Sequence, residues 1–450
     1  MERVRPSPPS VPIRPRSVAG GLLEVIGAIH LEVLEPWTVA EARPREHSAL
    51  LPAALASSPE ARFVRRVMDA REFHVDADPR RAHALPAGAF TSEAFLEREL
   101  ATLFAKHWTL LPLRASHELR DDPRSLAEMV RTRGARVPVS VFDRPLFLQR
   151  DWDGGLHLFP NVCTHAWHTL VPGPGRERTI RCPQHGREFD CLGKFVHQPG
   201  FEKIEGFPTK DDDLRDFPAA EWEDLLFACL GAPARAFDDV IAPVRASIGK
   251  LDLAGWRRVP LVGEVRELEG NWKQHAWNYM DSLHIPYIHK RPGGLADAVD
   301  LASYRTELHG AASLQWAYAK DPAHGFEPGV LDPRFEHAEK RVYALWWLVF
   351  PNLTLNFYPW GLSINLYAPV PGKPQRTLFH WYHLVRDPAR YAKRDKIWMT
   401  QVVDEEDVDA LTQVARGVRS GFAPRGRFAG ESEKGPHWFH RLVYEAVVEA

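Results

Sequence analysis

The chain has 450 residues, 44% of them apolar and 26% charged, an ordinary globular composition that excludes wholesale disorder and leaves room for two or three domains. Lys and Arg number 57 against 59 Asp and Glu, a formal net charge of −2, so there is no electrostatic footprint for nucleic acid or an acidic membrane surface. Four cysteines are too few for a disulfide scaffold and point to a reducing, cytoplasmic compartment. No apolar run reaches the roughly 18 residues that a membrane-spanning helix needs; the best candidate, 18–34, is interrupted by Glu24, His30 and Glu32.

In chain order, residues 1–88 are rich in Ala, Arg and Pro, with Pro6, Pro8, Pro9, Pro12 and Pro15 crowded at the start. The order of charged, apolar and small residues does not fit a secretory signal. This composition predicts a disordered arm, or residues upstream of a true start at Met68. Residues 89–136 read as a helical lead-in packing on the larger domain that follows: Thr91-Ser92 caps a helix whose apolar face is Phe95, Leu96, Leu100, Leu103 and Phe104.

From 137 to 230 the pattern becomes short runs (137–142, 146–149, 156–161, 179–182) punctuated by Gly and Pro, which predicts a small antiparallel β domain. Residues 250–450 mix both types. The runs 343–350, 353–358 and 362–368 are aromatic and β-branched, as in strands of a half-buried sheet, and 404–418 reads as a helix. The fold class is α+β.

Two stretches carry chemistry. In the first, Cys163-Thr-His165 is followed after sixteen residues by Cys182-Pro-Gln-His185, among Pro172, Gly173, Pro174, Gly175, Pro183 and Gly186. Flexible loops of this kind can turn two thiolates and two imidazoles toward one point, which suits either zinc or a two-iron cluster. Zinc fingers pair Cys with Cys and His with His, whereas each loop here offers a mixed pair, so both loops can give Cys to one iron and His to the other. Cys191 and Cys229 have no partner motif and read as small buried residues, and His168 as structural. With Asn161-Val162 before it and Gly186 after it, the stretch resembles the Rieske [2Fe-2S] motif. It departs from many family members at Thr164 (commonly Pro), Ala166-Trp167 (commonly Arg-Gly) and Arg187 (commonly Trp); none of these is a ligand.

The second stretch contains Asn271-Trp-Lys273, Asp281, His284, Pro286 and His289. His284 and His289 are five apart, about 140° around a regular helix, so convergence on one metal requires the break that Pro286 supplies. Two imidazoles and one carboxylate with open positions opposite form the non-haem Fe(II) oxygenase site. About 100 residues after a Rieske motif, and beside the words Asn-Trp-Lys and His-Ile-Pro, the pattern resembles the catalytic (alpha) subunit of the Rieske non-haem iron aromatic-ring-hydroxylating oxygenases from about residue 90 onward.

That resemblance implies a small antiparallel Rieske domain (137–230) and a larger domain (250–450) with an antiparallel sheet flanked by helices. It implies one [2Fe-2S] cluster on Cys163, His165, Cys182 and His185, and one mononuclear Fe(II) on His284, His289 and a late acidic residue. Among Asp404, Glu405, Glu406, Asp407 and Asp409, the family's Glu-Asp word selects Asp407, with Asp404 next. Asp281 matches the family's bridging carboxylate, accepting from His284 and from His185 of a neighbouring subunit, which implies a homotrimer. The implied activity is a terminal oxygenase that uses O₂ to hydroxylate, dihydroxylate or oxidatively demethylate a small organic substrate. The chain lacks a Gly-x-Gly-x-x-Gly after a strand, so a separate NAD(P)H-dependent flavin reductase, alone or with a ferredoxin, is implied. The alternatives are a Rieske electron-transfer protein with a degenerate, iron-free second domain, and a zinc-binding interaction module.

Overall fold

The computed structural model describes residues 70–114, 124–251, 253, 255–262 and 264–449. Packed structure begins well before Ala89. Phe73, Val75, Ala82, Ala84 and Leu85 are buried in one cluster with Phe439, Val443 and Val447 near the C-terminus, where composition predicts an unstructured arm through residue 88. Their order comes from partners more than 300 residues away: Leu85 N donates to His440 Nδ1 at 3.0 Å and Arg425 Nε to the Ala84 carbonyl at 2.8 Å. A local reading of an Ala- and Arg-rich stretch has no access to such contacts. The remainder of the predicted arm, with the alternative start at Met68, lies outside the described residues.

Helix α1 (Glu93–Arg98) starts where Ser92 accepts from Phe95 N at 3.3 Å. It runs through a widened turn at Glu99–Leu103 that places Glu99 wholly inside the protein. A Rieske-like unit follows, built from two three-stranded antiparallel sheets: β1 (Arg136–Val141), β2 (Arg144–Arg150) and β3 (Leu156–Pro160), then β4 (Ile180–Arg181), β5 (Glu188–Phe189) and β6 (Phe195–His197). Phe147, Phe159, Ile180, Phe189 and Leu214 form its core around Cys163 and Cys182.

Helix α2 (Phe237–Ser247) leads to an eight-stranded antiparallel sheet. Its strands are β7 (Arg257–Val259), β8 (Val265–Glu269), β9 (Arg305–His309), β10 (Ala312–Tyr318), β11 (Val342–Val349), β12 (Leu353–Tyr358), β13 (Gly361–Val370) and β14 (Lys373–Val385). The path is β7-β14-β13-β12-β11-β10-β9, with β8 also pairing β14. Every residue of β11 and β12 is buried, so the centre of the sheet is covered on both faces rather than half-buried. The strand period of two explains the division. Leu345, Trp347 and Val349 pack with Phe237 and Val240 of α2, while Leu348 faces Trp272 and Phe439, and Ala344 and Trp346 join Tyr358 and Trp398.

The helices on that second face are α3 (Trp272–Met280), α4 (Ile285–Ile288), α5 (Thr400–Arg419) and α6 (Lys434–Val447). The Asn-Trp-Lys word anchors α3. Asn271 caps it, its Oδ1 accepting from Lys273 N at 3.0 Å while Gln274 Oε1 accepts from Asn271 N at 2.8 Å. Lys273 is fully buried and pairs with Glu99 at 2.7 Å, and Trp272 Nε1 donates to the same carboxylate at 3.2 Å. Burial drives the Glu99 pKa up and the Lys273 pKa down, each opposed by its partner.

Candidate metal centres and active-site cavity

In the β-rich unit the four predicted ligands lie on two facing loops. One follows β3 and is closed by main-chain bonds, Cys163 N to His168 O at 2.8 Å and Trp167 N to Cys163 O at 3.1 Å. The other joins β4 to β5, with Gly186 N donating to Cys182 O at 3.0 Å; Gly186 is left-handed (φ 72°), a conformation that costs glycine little. Cys163 and Cys182 are buried and neither is in a disulfide. Burial pushes the Cys163 thiol up, a cost that metal coordination of the thiolate removes. His165 is half-buried and His185 exposed, their rings 4.8 Å apart. Two inner thiols and two outer imidazoles match a cluster whose imidazole-bound iron faces the surface. His168, also exposed, faces the Thr169 carbonyl at 2.7 Å and stands outside this set.

The second centre is made by breaking a helix. Helix α3 stops at Met280 and Asp281 is extended (φ −93°, ψ 109°). Pro286 sits in the first turn of α4, where its missing N–H is not needed. His284 and His289 therefore flank α4 instead of sharing a regular helix, and their Nε2 atoms are 3.1 Å apart. Asp407 Oδ1 lies 3.2 Å from His289 Nε2 and 3.6 Å from His284 Nε2. Ligand atoms sharing one ion at about 2.1 Å and about 90° stand roughly 3 Å apart. The three donors fit such an ion, and Asp407 Oδ1 is buried without a hydrogen-bond partner. Among the described residues this is the group of His, Cys, Asp or Glu side chains that converges tightly enough to hold one metal ion.

The other acidic candidates separate by helix face. Helix α5 begins at Thr400, four residues before the predicted start, so Asp407 lies beyond the first turn, where the helix dipole favours acids for its own reasons. Asp404 is ion-paired with Arg266, and burial pushes its carboxyl up to about 6 against that partner. Glu405 and Asp409 are exposed. Glu406 reaches the far side of the His289 ring, Oε2 to Nδ1 at 2.8 Å, while its Oε1 accepts from Arg291 Nε at 2.6 Å. The spacing gives no hint of this orienting contact. Burial lowers His289, but Asp407 and Glu406 outweigh it and the imidazole pKa lies above its ordinary value. Asp281 Oδ1 accepts from Leu283 N at 2.7 Å, and its Oδ2 is 3.7 Å from His284 Nδ1, short of a hydrogen bond.

A cavity opens on the triad, lined by the aromatic side chains of Tyr279, Tyr304, Trp346, Tyr358, Tyr367 and Trp381. The inward-facing half of the β11–β13 segment supplies Trp346, Asn356, Tyr358, Ser363 and Asn365. The aromatic residues of these strands divide between cavity and core by strand alternation. Tyr304 stacks on Trp346 with centroids 6.0 Å apart and planes at 17°. The hydroxyls are occupied by protein: Tyr304 donates to Gln315 Oε1 at 2.9 Å and Tyr279 to Asn356 Oδ1 at 2.7 Å. Asp281, Asp404 and Asp407 also line the cavity; among the described residues no Lys or Arg does.

The family model for the ring-hydroxylating alpha subunit catalytic domain matches residues 254–449, and that for the Rieske [2Fe-2S] domain matches 125–208. The chain belongs to the Rieske non-haem iron ring-hydroxylating oxygenases, as a catalytic alpha subunit. It is 26% identical to the chloroplastic choline monooxygenase of Arabidopsis thaliana over 84% of this chain and 87% of that protein. Identity to the carnitine monooxygenase oxygenase subunit of Escherichia coli strain K12 is 25%, over 82% and 94% of the two chains. In fold it is similar to a quaternary ammonium Rieske monooxygenase (TM-score 0.64, 22% identity, 84% and 99% of the two chains). It is likewise similar to naphthalene 1,2-dioxygenase from Rhodococcus sp. (TM-score 0.59, 16% identity, 80% and 94%). Like other Rieske oxygenases it is an enzyme that carries a [2Fe-2S] cluster and a mononuclear iron, acts on a small organic molecule with O₂, and works with separate electron-transfer partners. Among the described residues no helix is long and apolar enough to cross a membrane.

Proposed function

We propose that this Rieske oxygenase oxidises a small N-methylated ammonium compound that carries net positive charge. The observation that carries the reading is the cavity beside His284, His289 and Asp407, which is walled by aromatic rings and carboxylates and offers no Lys or Arg among its lining residues. Aromatic faces attract a quaternary ammonium group, and the hydroxyls of Tyr279 and Tyr304 are already held by Asn356 and Gln315. A substrate carboxylate would meet no Lys or Arg among the described lining residues. The similarity to choline and carnitine monooxygenases supports the amine class, and the missing cation favours a choline-like over a carnitine-like molecule.

In this reading Cys163, His165, Cys182 and His185 hold the cluster, and His284, His289 and Asp407 hold the iron. Those groups supply electron transfer and O₂ activation. Glu406 keeps the His289 proton on Nδ1 and leaves Nε2 free to bind metal. Asp281, whose Oδ2 stands 3.7 Å from His284 Nδ1, has the role of bridging carboxylate between His284 and, across a trimer interface, His185 of a neighbouring subunit, linking the two centres. Electrons come from a separate NAD(P)H-dependent flavin reductase, alone or with a ferredoxin, and the setting is the cytoplasm.

The test is turnover with a surrogate reductase, comparing trimethylammonium compounds with and without a carboxylate. A kcat/KM at least tenfold higher for the cationic alcohol than for the zwitterion is expected. Equal or better use of the zwitterion, or turnover of neutral aromatics alone, contradicts the proposal.

A further inference from the structure

Two departures from the Rieske motif, Thr164 and Arg187, form one contact. Arg187 lies two residues after His185, and Thr164 stands between Cys163 and His165. The Arg187 side chain is 2% exposed. Its Nη1 donates to Thr164 Oγ1 at 2.8 Å and to Asp212 Oδ1 at 3.1 Å, and its Nε to Gln198 Oε1. Gln198 Nε2 in turn lies 3.1 Å from His165 Nδ1. The guanidinium is ringed by Phe195, Phe201 and Phe207, at 5.3, 5.6 and 5.4 Å from the ring centres. Thr164 Oγ1 also donates to the Asp212 carbonyl at 2.9 Å. A proline at 164 would have no hydroxyl to receive this bond, and a tryptophan at 187 no charge to place there.

A guanidinium keeps its charge inside proteins. Reducing the cluster adds one negative charge, which a neighbouring buried cation stabilises. The counterion is less buried than the cation: the Asp212 side chain is 19% exposed, so water screens the carboxylate more than it screens Arg187. The opposing charges therefore do not cancel at the ligand loops.

We infer that Arg187 is a positioning residue for the Rieske cluster, whose buried guanidinium ties the two ligand loops together and, as a fixed positive charge, holds the reduction potential above the value an uncharged residue would give. This rests on the assignment of the cluster to Cys163, His165, Cys182 and His185. A purely mechanical tie predicts no sign to the potential shift; a charge does.

The test is a spectroelectrochemical titration of the full-length holoenzyme and its Arg187→Gln, Arg187→Lys and Asp212→Asn variants, with iron, sulfide and the EPR signal of the reduced cluster recorded for each. Arg187→Gln is expected to lower the equilibrium constant for one-electron reduction about tenfold, or 59 mV. Asp212→Asn is expected to raise it, and Arg187→Lys to leave it within about twofold. If Arg187→Gln fails to retain its cluster, a rise in Asp212→Asn with Arg187→Lys unchanged still decides. Potentials that stay put, or that fall together in Arg187→Gln and Asp212→Asn, overturn the inference. A wild-type protein without a Rieske signal overturns the cluster assignment instead, and the inference with it.

Discussion

Glu406 holds His289 from behind: its Oε2 accepts from Nδ1 at 2.8 Å, on the side of the ring opposite the Nε2 that faces Asp407. Consecutive residues of α5 thus grip opposite edges of one imidazole. A carboxylate in this place fixes the tautomer and raises the basicity of a metal-binding histidine. Glu406→Ala is predicted to weaken Fe(II) retention by about 10–100-fold while the Rieske signal persists. Glu406→Gln should lose less, since its amide oxygen still accepts. Fe(II) dissociation constants of the variants check this; unchanged affinity in Glu406→Ala removes the orienting role.

Asp281 ends α3 with its carboxylate toward His284, and the proposed relay gives it no part in holding the cluster. Asp281→Ala should retain the cluster and its EPR signal, and lose coupled product formation. Single-turnover assays starting from reduced cluster measure that loss. Normal product yield excludes the relay.

The candidate ligand spacings stand out in the sequence because each half-site is a covalent neighbourhood: Cys163 with His165, Cys182 with His185, and His284 and His289 around Pro286. The strand runs in the 340–370 region were legible from their density of aromatic and β-branched residues, within a residue or two of the observed ends. Other features depend on partners far along the chain. The burial of Phe73 and Leu85 needs His440 and the C-terminal helix. The early start of α5 at Thr400 and the turn of Glu406 toward His289 emerge only once α5 lies across α4. Coverage of both faces of the central strands likewise follows from α2 on one side and the helices around Trp272 on the other, which strand composition alone does not reveal.

Lys273 and Glu99 are both fully buried, 2.7 Å apart, and join the lead-in helix to the segment that leads to His284 and His289. Removing one partner strands the other charge in the interior. Lys273→Met is predicted to cost about 3–5 kcal/mol, and the double change Glu99→Leu with Lys273→Met to recover most of it. Equilibrium denaturation of the metal-free proteins measures both. A single-variant cost below about 1 kcal/mol, the range of an exposed pair, contradicts a structural role for the pair.

Acid should loosen the fold as the pH falls below 6.5, through histidines held neutral inside it. Burial pushes His380 down to about 4, His383 to about 3 and His440 to about 3, from an ordinary 6.5. As pH falls below 6.5 the unfolded chain takes up these protons and the folded chain does not. The stability these groups contribute is therefore complete above 6.5 and lost progressively down to about 4 for His380 and about 3 for His383 and His440. With three such groups the slope approaches about 4 kcal/mol per pH unit. Unfolding midpoints of the metal-free protein between pH 7 and 4.5 check the slope, and His440→Gln should reduce it by about one proton. A midpoint that does not move over that range contradicts the buried-neutral assignment.

The most direct test of the account is iron and acid-labile sulfide per chain in anaerobically purified protein, with the EPR spectrum of its reduced form. Two filled centres predict about three irons and two sulfides with a Rieske-type signal, and Asp407→Ala should lower the iron by about one while leaving sulfide and signal intact. A wild-type protein that holds about two irons and two sulfides, and takes up no more on reconstitution with Fe(II), contradicts the account and makes the chain an electron carrier with an empty second site.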